Sequence, residues 1–154
     1  MSMLRSLARR LGHEAWFAAA FRWLVPADRL VGRLTGGRVV ALGLVPSLLL
    51  TTTGRRSGQP RETPLLALPD GDAFVVAGSN WGQQHQPAWA LNLLANPAGT
   101  VTVGGRRIPV RGRRVTGAER DRLWAMLVAE WPAYQTYARR AAGRDIVVFR
   151  LEPA

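Results

Sequence analysis

The chain has 154 residues, which suffices for one domain with a hydrophobic core but is short for two independent domains. It contains no cysteine and only two histidines, which excludes disulfides, thiolate catalysis and cysteine-based zinc sites, so we predict no metal site. All 21 basic residues are arginine, and against ten carboxylates they give a formal net charge of +11. Such a charge favours an anionic partner: a phosphorylated cofactor, a nucleic acid or an anionic membrane surface.

The first organised segment is predicted to be an amphipathic helix from Leu4 to Val25, because apolar residues recur there at intervals of three and four. It is too short and too charged to cross a bilayer, and it lacks a signal-peptide cleavage site. Two interpretations of its apolar face stay open. The face either packs on the domain or rests on an anionic membrane surface through Trp16, Phe17 and Phe21.

A basic loop follows. The apolar run at residues 39–45 suits a first strand, and Leu48 to Thr53 and Arg61 to Leu68 are predicted to be two strands joined by a tight connection. That connection, residues 54–60, carries arginine, serine and glutamine side chains between glycines that let backbone N–H groups turn toward one point. Because arginine binds an oxyanion through two hydrogen bonds at once, the loop suits a phosphate or a carboxylate. The alternative is a solvated turn that happens to be basic.

Ala73 to Ala77 is predicted to be a buried strand, and residues 78–87 a polar loop. This loop is either a second ligand-facing loop or an ordinary connection into the short helix that Asn96 and Pro97 end. The sequence alone leaves that choice open.

A Gly-Gly turn is predicted to join residues 99–103 and 106–115 into a hairpin, whose second strand forms a solvated, arginine-rich sheet edge. Thr116 and Glu119 have the spacing of a capping box for a helix over residues 117–131. A second short helix and a final strand complete the pattern. These elements indicate an α+β domain built on a small antiparallel barrel of six or seven strands.

Three motifs then occur in order: Thr-Thr-Gly-Arg-Arg-Ser-Gly-Gln-Pro-Arg at residues 52–61, Gly-Ser-Asn-Trp-Gly at residues 78–82, and Pro-x-Trp-x-x-Asn-Leu-x-Ala-Asn-Pro at residues 87–97. In this order and spacing they resemble the deazaflavin-dependent nitroreductase family, which uses coenzyme F420. The resemblance extends from about residue 34 to the C-terminus. It implies a split β-barrel fold of the FMN-binding-like type, and hydride transfer from reduced F420 to a quinone, a nitroaromatic or another electron-poor acceptor.

The resemblance also implies the site residues. Those implied to bind the cofactor form the phosphate loop and the wall beside the deazaflavin ring: Arg55, Arg56, Ser57, Gln59, Arg61, Pro64, Leu65, Ala77, Gly78, Ser79, Asn80, Pro87, Ala88 and Trp89. Those implied to lie near the acceptor are Trp131, Tyr134 and Tyr137. Either Tyr134 or Ser79 is the candidate catalytic donor of a proton or hydrogen bond to the acceptor. No catalytic dyad is expected, because the cofactor carries the reactive carbon.

We divide the chain into an N-terminal amphipathic segment, residues 1–37, and a split-barrel domain, residues 38–154. The protein is predicted to be cytoplasmic, and peripheral at the inner face of the membrane if the N-terminal helix contacts lipid. One alternative is a non-catalytic split-barrel protein that sequesters a lipid, haem or FMN. No nucleic-acid partner is predicted, because the arginines lack the interleaved aromatic platform that binds bases.

Overall fold

The computed structural model describes residues 3–16, 19–20, 23–24, 26–27, 30, 46–141 and 143–154, except for the side chain of Trp81. Its strands are β1 (Ser47–Thr53), β2 (Pro60–Leu66), β3 (Leu68–Asp70), β4 (Ala73–Ala77), β5 (Ala98–Val103), β6 (Arg106–Arg114) and β7 (Val148–Pro153). Its helices are α1 (Met3–Leu11), α2 (Ala88–Ala95), α3 (Gly117–Glu130) and α4 (Ala133–Arg140), with a short 3-10 turn at Asn80–Gly82. The strand predicted at residues 39–45 and the boundary predicted at residue 37 lie outside the described residues.

The seven strands form one antiparallel sheet in the order β2-β1-β5-β6-β7-β4-β3. Its two edge strands, β2 and β3, are separated in the chain by Ala67 alone, so the sheet must curl until its edges approach each other. At this point the Ala67 N–H donates to the Pro46 carbonyl at 3.0 Å. The predicted strand count and α+β class are confirmed. The single strand predicted from Arg61 to Leu68 is interrupted at Ala67, because the chain there leaves one sheet edge for the other.

Two clusters of buried side chains cover the opposite faces of the sheet. Adjacent residues of β4, Val75 and Val76, belong to different clusters, as expected when successive side chains of a strand point to opposite faces. One cluster contains residues of α3 and α4, including Leu123, Leu127, Tyr134 and Tyr137. The other contains residues of α2, including Trp89 and Leu93. With helices on both faces, four of the five residues of β4 are buried and Phe74 is half-buried.

Helix α1 packs against α3 and α4. Ala8 is 5% exposed, and Arg5 forms an ion pair with Glu130 at 2.8 Å. The packing is partial, because Leu4 and Leu7 of the predicted apolar face are 68% and 52% exposed, and the choice between the two interpretations stays open.

The prediction of one continuous helix from Leu4 to Val25 is wrong at residues 12–14, which form a turn. Gly12 lies so close to the junction of α3 and α4 that a Cβ atom there would meet the Trp131 ring at 2.6 Å. The Tyr137 hydroxyl also donates to the Gly12 carbonyl at 3.0 Å. The helix ends here because a glycine allows this close approach and its carbonyl finds a partner outside the helix.

Strand β6 lies between β5 and β7, so the prediction that it forms a sheet edge is wrong. Its arginines are exposed, and Arg113 donates to both Glu119 and Glu152 at 2.7 Å and lowers the pKa of each carboxyl group. Because Arg113 holds Glu119, the predicted capping box does not form. Thr116 does occupy the N-cap position of α3, but its side chain makes no capping hydrogen bond.

A second ion cluster fixes the turn between β3 and β4. Asp70 accepts hydrogen bonds from Arg122 of α3 at 3.1 Å and from Arg150 of β7 at 2.9 Å. These contacts, that of Arg122 first, lower the pKa of Asp70 from its ordinary 3.8 to about 2. The cluster ties α3 and β7 to the start of β4, at the opposite end of that strand from the polar loop that begins at Gly78.

Candidate functional site

A cleft of about 420 Å³ opens between the β1–β2 loop and helix α2. Six of the predicted cofactor-binding residues line it: Arg55, Arg56, Ser57, Arg61, Ala88 and Trp89. Gly54, Glu62, Thr63 and Asn92, which were not predicted as site residues, complete its walls. The structure therefore brings the first and third sequence motifs together around one cavity.

The β1–β2 loop is closed by hydrogen bonds of its own. The Gly58 N–H donates to the Gly54 carbonyl and the Gly54 N–H to the Gln59 carbonyl, both at 2.8 Å. Ser57 Oγ accepts from the Gln59 N–H at 3.1 Å and from the Arg61 guanidinium at 3.3 Å. Gly58 has φ of 70°, a left-handed conformation that glycine adopts without strain. These contacts close the loop on itself, and Gln59 contributes through its backbone.

Asn92 of α2 anchors this loop to the helix. Its side-chain oxygen accepts from the Arg55 N–H at 3.1 Å, and its amide nitrogen donates to Thr52 Oγ1 at 3.1 Å. Thr52 and Asn92 are the buried polar residues among the described part of the chain, at 2% and 3% exposure. The signal in the sequence was an isolated asparagine within the apolar helix AWALNLLA, because a buried amide must find partners.

The cleft is lined by three arginines and one carboxylate, that of Glu62, so its walls carry a net positive charge. Arg55 and Arg56 are exposed and form no ion pair within the described part of the chain, whereas Arg113 and Arg150 are each bound to carboxylates. Guanidinium groups left in this state can bind a phosphate or a carboxylate through two hydrogen bonds each. This arrangement favours the anion-binding interpretation of the loop over a merely basic turn.

The second polar loop, residues 78–87, adjoins the same helix. A Cβ atom at Gly78 would contact Ala90 of α2 at 3.4 Å and Pro87 at 3.5 Å, so the start of the loop lies directly on the beginning of α2. Asn80 has φ of 46°, and its side chain donates to the His85 carbonyl at 3.0 Å. Asparagine tolerates this left-handed conformation better than most residues do. The loop is thus a folded unit beside the cleft.

The other predicted ring-side residues lie outside the walls of the cleft. Pro64 and Leu65 continue β2 beyond it, and Ala77 is buried at the end of β4, immediately before Gly78 and Ser79. Their contact with a cofactor stays a prediction.

Arg144, which sequence reasoning missed, spans the second loop. Its guanidinium donates to three backbone carbonyls, those of Gly78 at 3.0 Å, Ser79 at 2.8 Å and Gln83 at 3.0 Å, and to Gln86 Oε1 at 2.9 Å. Burial lowers the pKa of this guanidinium. Its partners are carbonyl oxygens scattered through a loop, which no local pattern could reveal.

The three aromatic residues predicted to lie near the acceptor come together in the core. Tyr134 and Tyr137 stack edge to face at 6.0 Å between ring centres, and Trp131 Nε1 donates to the Tyr137 hydroxyl at 3.3 Å. All three are at most 6% exposed, and burial raises the pKa of both tyrosines. None of them lines the cleft, so their acceptor-side role stays a prediction.

Within the described residues, no group of three or more histidine, cysteine, aspartate or glutamate side chains could hold a metal ion. The described helices also include none with the length and apolar character needed to cross a membrane.

The sequence of residues 24–153 matches the family model described as F420H(2)-dependent quinone reductase. The chain belongs to this family. Among F420H(2)-dependent quinone reductases, Rv1261c of Mycobacterium tuberculosis is 41% identical over 87 residues, which are 55% of this chain and 58% of that protein. The chain thus spans little more than half the length of this relative. Rv3178 of the same organism is 35% identical over 109 residues, covering 69% of this chain and 90% of that protein.

Solved structures share the fold of this chain, and the description of one of them names an F420-H2 dependent reductase. The F420-H2 dependent reductase FDR-A is 33% identical with a TM-score of 0.64, over 70% of this chain and 94% of that chain. A chain described as a domain-swapped dimer is 30% identical with a TM-score of 0.66, over 82% of this chain and 99% of that chain. HutZ, the heme storage protein from Vibrio cholerae, shares the fold at 15% identity and a TM-score of 0.54, over 71% and 82% of the two chains. The predicted split β-barrel fold is confirmed.

Proposed function

We propose that this chain is an F420H2-dependent reductase that transfers a hydride from reduced F420 to a quinone, a nitroaromatic or another electron-poor small molecule. One observation carries the proposal most directly. In a chain of this family, the cleft combines three arginines, Arg55, Arg56 and Arg61, with the apolar side chain of Trp89. A phosphorylated, planar cofactor requires these two kinds of surface beside each other.

The residues present fit this cofactor. Arg55, Arg56 and Arg61 would hold its phosphate or carboxylate groups together with Ser57, in a loop that is already folded. Ala88 and Trp89 would supply an apolar wall for the deazaflavin ring, and Pro64, Leu65 and Ala77 to Asn80 would extend it.

Reduced F420, when bound, supplies the hydride. The protein then has to orient the acceptor, exclude water and donate a proton or hydrogen bond where charge develops. Ser79 lies in the loop next to α2, whereas Tyr134 is 5% exposed within the core. Ser79 is therefore our first candidate donor and Tyr134 the second. Trp131, Tyr134 and Tyr137 remain candidates for the acceptor side.

Titration of the purified chain with F420, followed by turnover of menadione with reduced F420 and separately with NADPH, tests the proposal. We expect saturable binding of F420 and turnover with its reduced form alone. Turnover with NADPH alone would contradict it. The alternative, sequestration of a lipid, haem or FMN, predicts tight binding of that ligand with no reduction of an acceptor.

A peripheral membrane contact is a further part of this proposal. Met3, Leu4 and Leu7 of α1 are 89%, 68% and 52% exposed, and Trp16 and Trp23 are also exposed. Arginines of the same segment would complement an anionic surface on which these apolar side chains rest.

A further inference from the structure

We infer that Arg144 is a positioning residue that holds the backbone of Gly78 to Asn80, and with it the Ser79 hydroxyl, in the geometry required at the reacting end of the site. The catalytic consequence of this positioning rests on the proposed function, whereas the ordering of the loop does not. Arg144 itself is not placed in the cleft, and we assign it no contact with a ligand.

The contacts of Arg144 reach both ends of the loop. Its Nη1 and Nη2 atoms bind the carbonyls of Gly78 and Ser79 at 3.0 and 2.8 Å, at the beginning of the loop. Its Nε atom binds the Gln83 carbonyl at 3.0 Å, and Nη1 also binds Gln86 Oε1 at 2.9 Å, near the end. One planar group therefore fixes the distance between two stretches of backbone that otherwise have only a few bonds to each other.

The loop needs such a fixing point because its conformation is uncommon. Asn80 has a positive φ of 46°, which is uncommon outside glycine although asparagine tolerates it, and the surrounding contacts help to hold it. Gly82, with φ of 79°, lies so close to α4 that a Cβ atom there would meet Arg140 Cβ at 2.8 Å. Gln84 and Gln86 donate to the carbonyls of Arg140 and Asp145 at 2.8 and 2.9 Å. The loop is thus fastened onto the chain around Arg144.

Arginine suits this position better than lysine does. Several fixed N–H donors in one plane can bind separate carbonyls at once, whereas an ammonium group offers three donors around one point. The neighbouring carboxylate of Asp145 is bound by Arg114 at 2.8 Å instead. The guanidinium of Arg144 is consequently left to the carbonyl oxygens of the loop.

Amide hydrogen exchange of the full chain tests the positioning directly and without any cofactor. In Arg144→Gln, we expect exchange of the peptide covering residues 78–86 to be at least about 10-fold faster, with the peptides of β6 and α3 unchanged. Arg144→Lys should give an intermediate rate. Arg122→Gln is the matched control, because it removes the same charge from the ion cluster at the opposite end of β4 and should leave this loop unchanged.

Steady-state kinetics then tests the consequence. Arg144→Gln should lower kcat about 10- to 100-fold, as displaced catalytic groups do, with a smaller rise in the KM for reduced F420, because residues 78–80 are also proposed to extend the wall beside its ring. Methylguanidine added to Arg144→Gly should restore part of the lost kcat, which a general loss of stability would not allow.

Each outcome decides something different. Unchanged exchange at residues 78–86, or global unfolding of both the glutamine and the lysine variants, would overturn the positioning role. A faster-exchanging loop with wild-type kcat would overturn its catalytic consequence. Failure of the wild-type chain to bind F420 would instead remove the proposed function, and the exchange result would still decide whether Arg144 orders the loop.

Discussion

Replacing Arg56 or Arg61 with alanine should weaken F420 binding without slowing the chemical step. A charge-assisted hydrogen bond is worth roughly 1.5–3 kcal/mol, or about 10- to 150-fold in affinity. Arg56 is exposed at the tip of the loop, so we expect its effect at the lower end of this range. Arg61 also donates to Ser57 Oγ at 3.3 Å and thereby helps to close the loop, so its loss should fall at the upper end.

Fluorescence titration at two salt concentrations measures the affinity, and turnover of menadione measures kcat and KM. The phosphate site is remote from the reacting ring, so its contacts stabilise the ground and transition states equally. The apparent KM for F420 should therefore rise while kcat at saturation stays within about twofold. Arg107→Ala serves as the control, because it removes the same charge from an exposed position on β6 that does not line the cleft.

Two results would refute this reasoning. Unchanged affinity in both loop variants would mean that the loop is a basic turn with no part in binding. An equal loss of affinity in Arg107→Ala would mean that the net charge of the chain attracts F420 and that the loop geometry is irrelevant.

Three further predictions follow from contacts described above. Tyr137→Phe should lower the free energy of unfolding, measured in urea, by about 1–2 kcal/mol, because the Tyr137 hydroxyl makes hydrogen bonds to two groups. Tyr134→Phe should change the free energy of unfolding by less than about 0.5 kcal/mol, and it should lower kcat only if the Tyr134 hydroxyl serves the acceptor. Asp70→Asn should remove roughly 1–2 kcal/mol of stability at neutral pH. Because folding lowers the pKa of Asp70 from 3.8 to about 2, the extra stability of the wild type is complete above about pH 4 and is lost as the pH falls through 2. A stability difference that stays constant at all pH values would contradict this. Leu7→Gln should reduce cosedimentation with anionic vesicles severalfold and leave activity unchanged, and undiminished cosedimentation would exclude α1 from the contact.

Most strands of the sheet could be predicted, because the sequence patterns that indicate a strand lie within the strand itself. Strand β4 coincides with its predicted range, since an apolar run between turn residues needs no distant partner to be recognised. The basic loop was likewise found from the order of its glycines and arginines. Such patterns do not show which strands pair with each other. Strand β6 resembles an edge locally, and only its pairing with β7 makes it internal.

The errors and omissions share one cause, which is a partner far away in the chain. The helix break at Gly12 depends on Trp131, and the missing capping box depends on Arg113, which competes for Glu119. Asn92 could have been suspected from its apolar surroundings, because buried amides require partners. The role of Arg144 could not have been suspected, because the partners of its guanidinium are mainly backbone carbonyls, which every residue carries whatever its side chain.

The position of β7 near the end of the chain affects how the protein folds during synthesis. Among the described strands it alone joins β2-β1-β5-β6 to the β3–β4 hairpin, and it covers Val148–Pro153. While the ribosome is still translating, β4 and β6 are complete but each presents an open edge, and such edges pair readily with other chains. Molecules that stop before Val148 should therefore be captured by chaperones or degraded, and should not accumulate as a smaller, partly active domain.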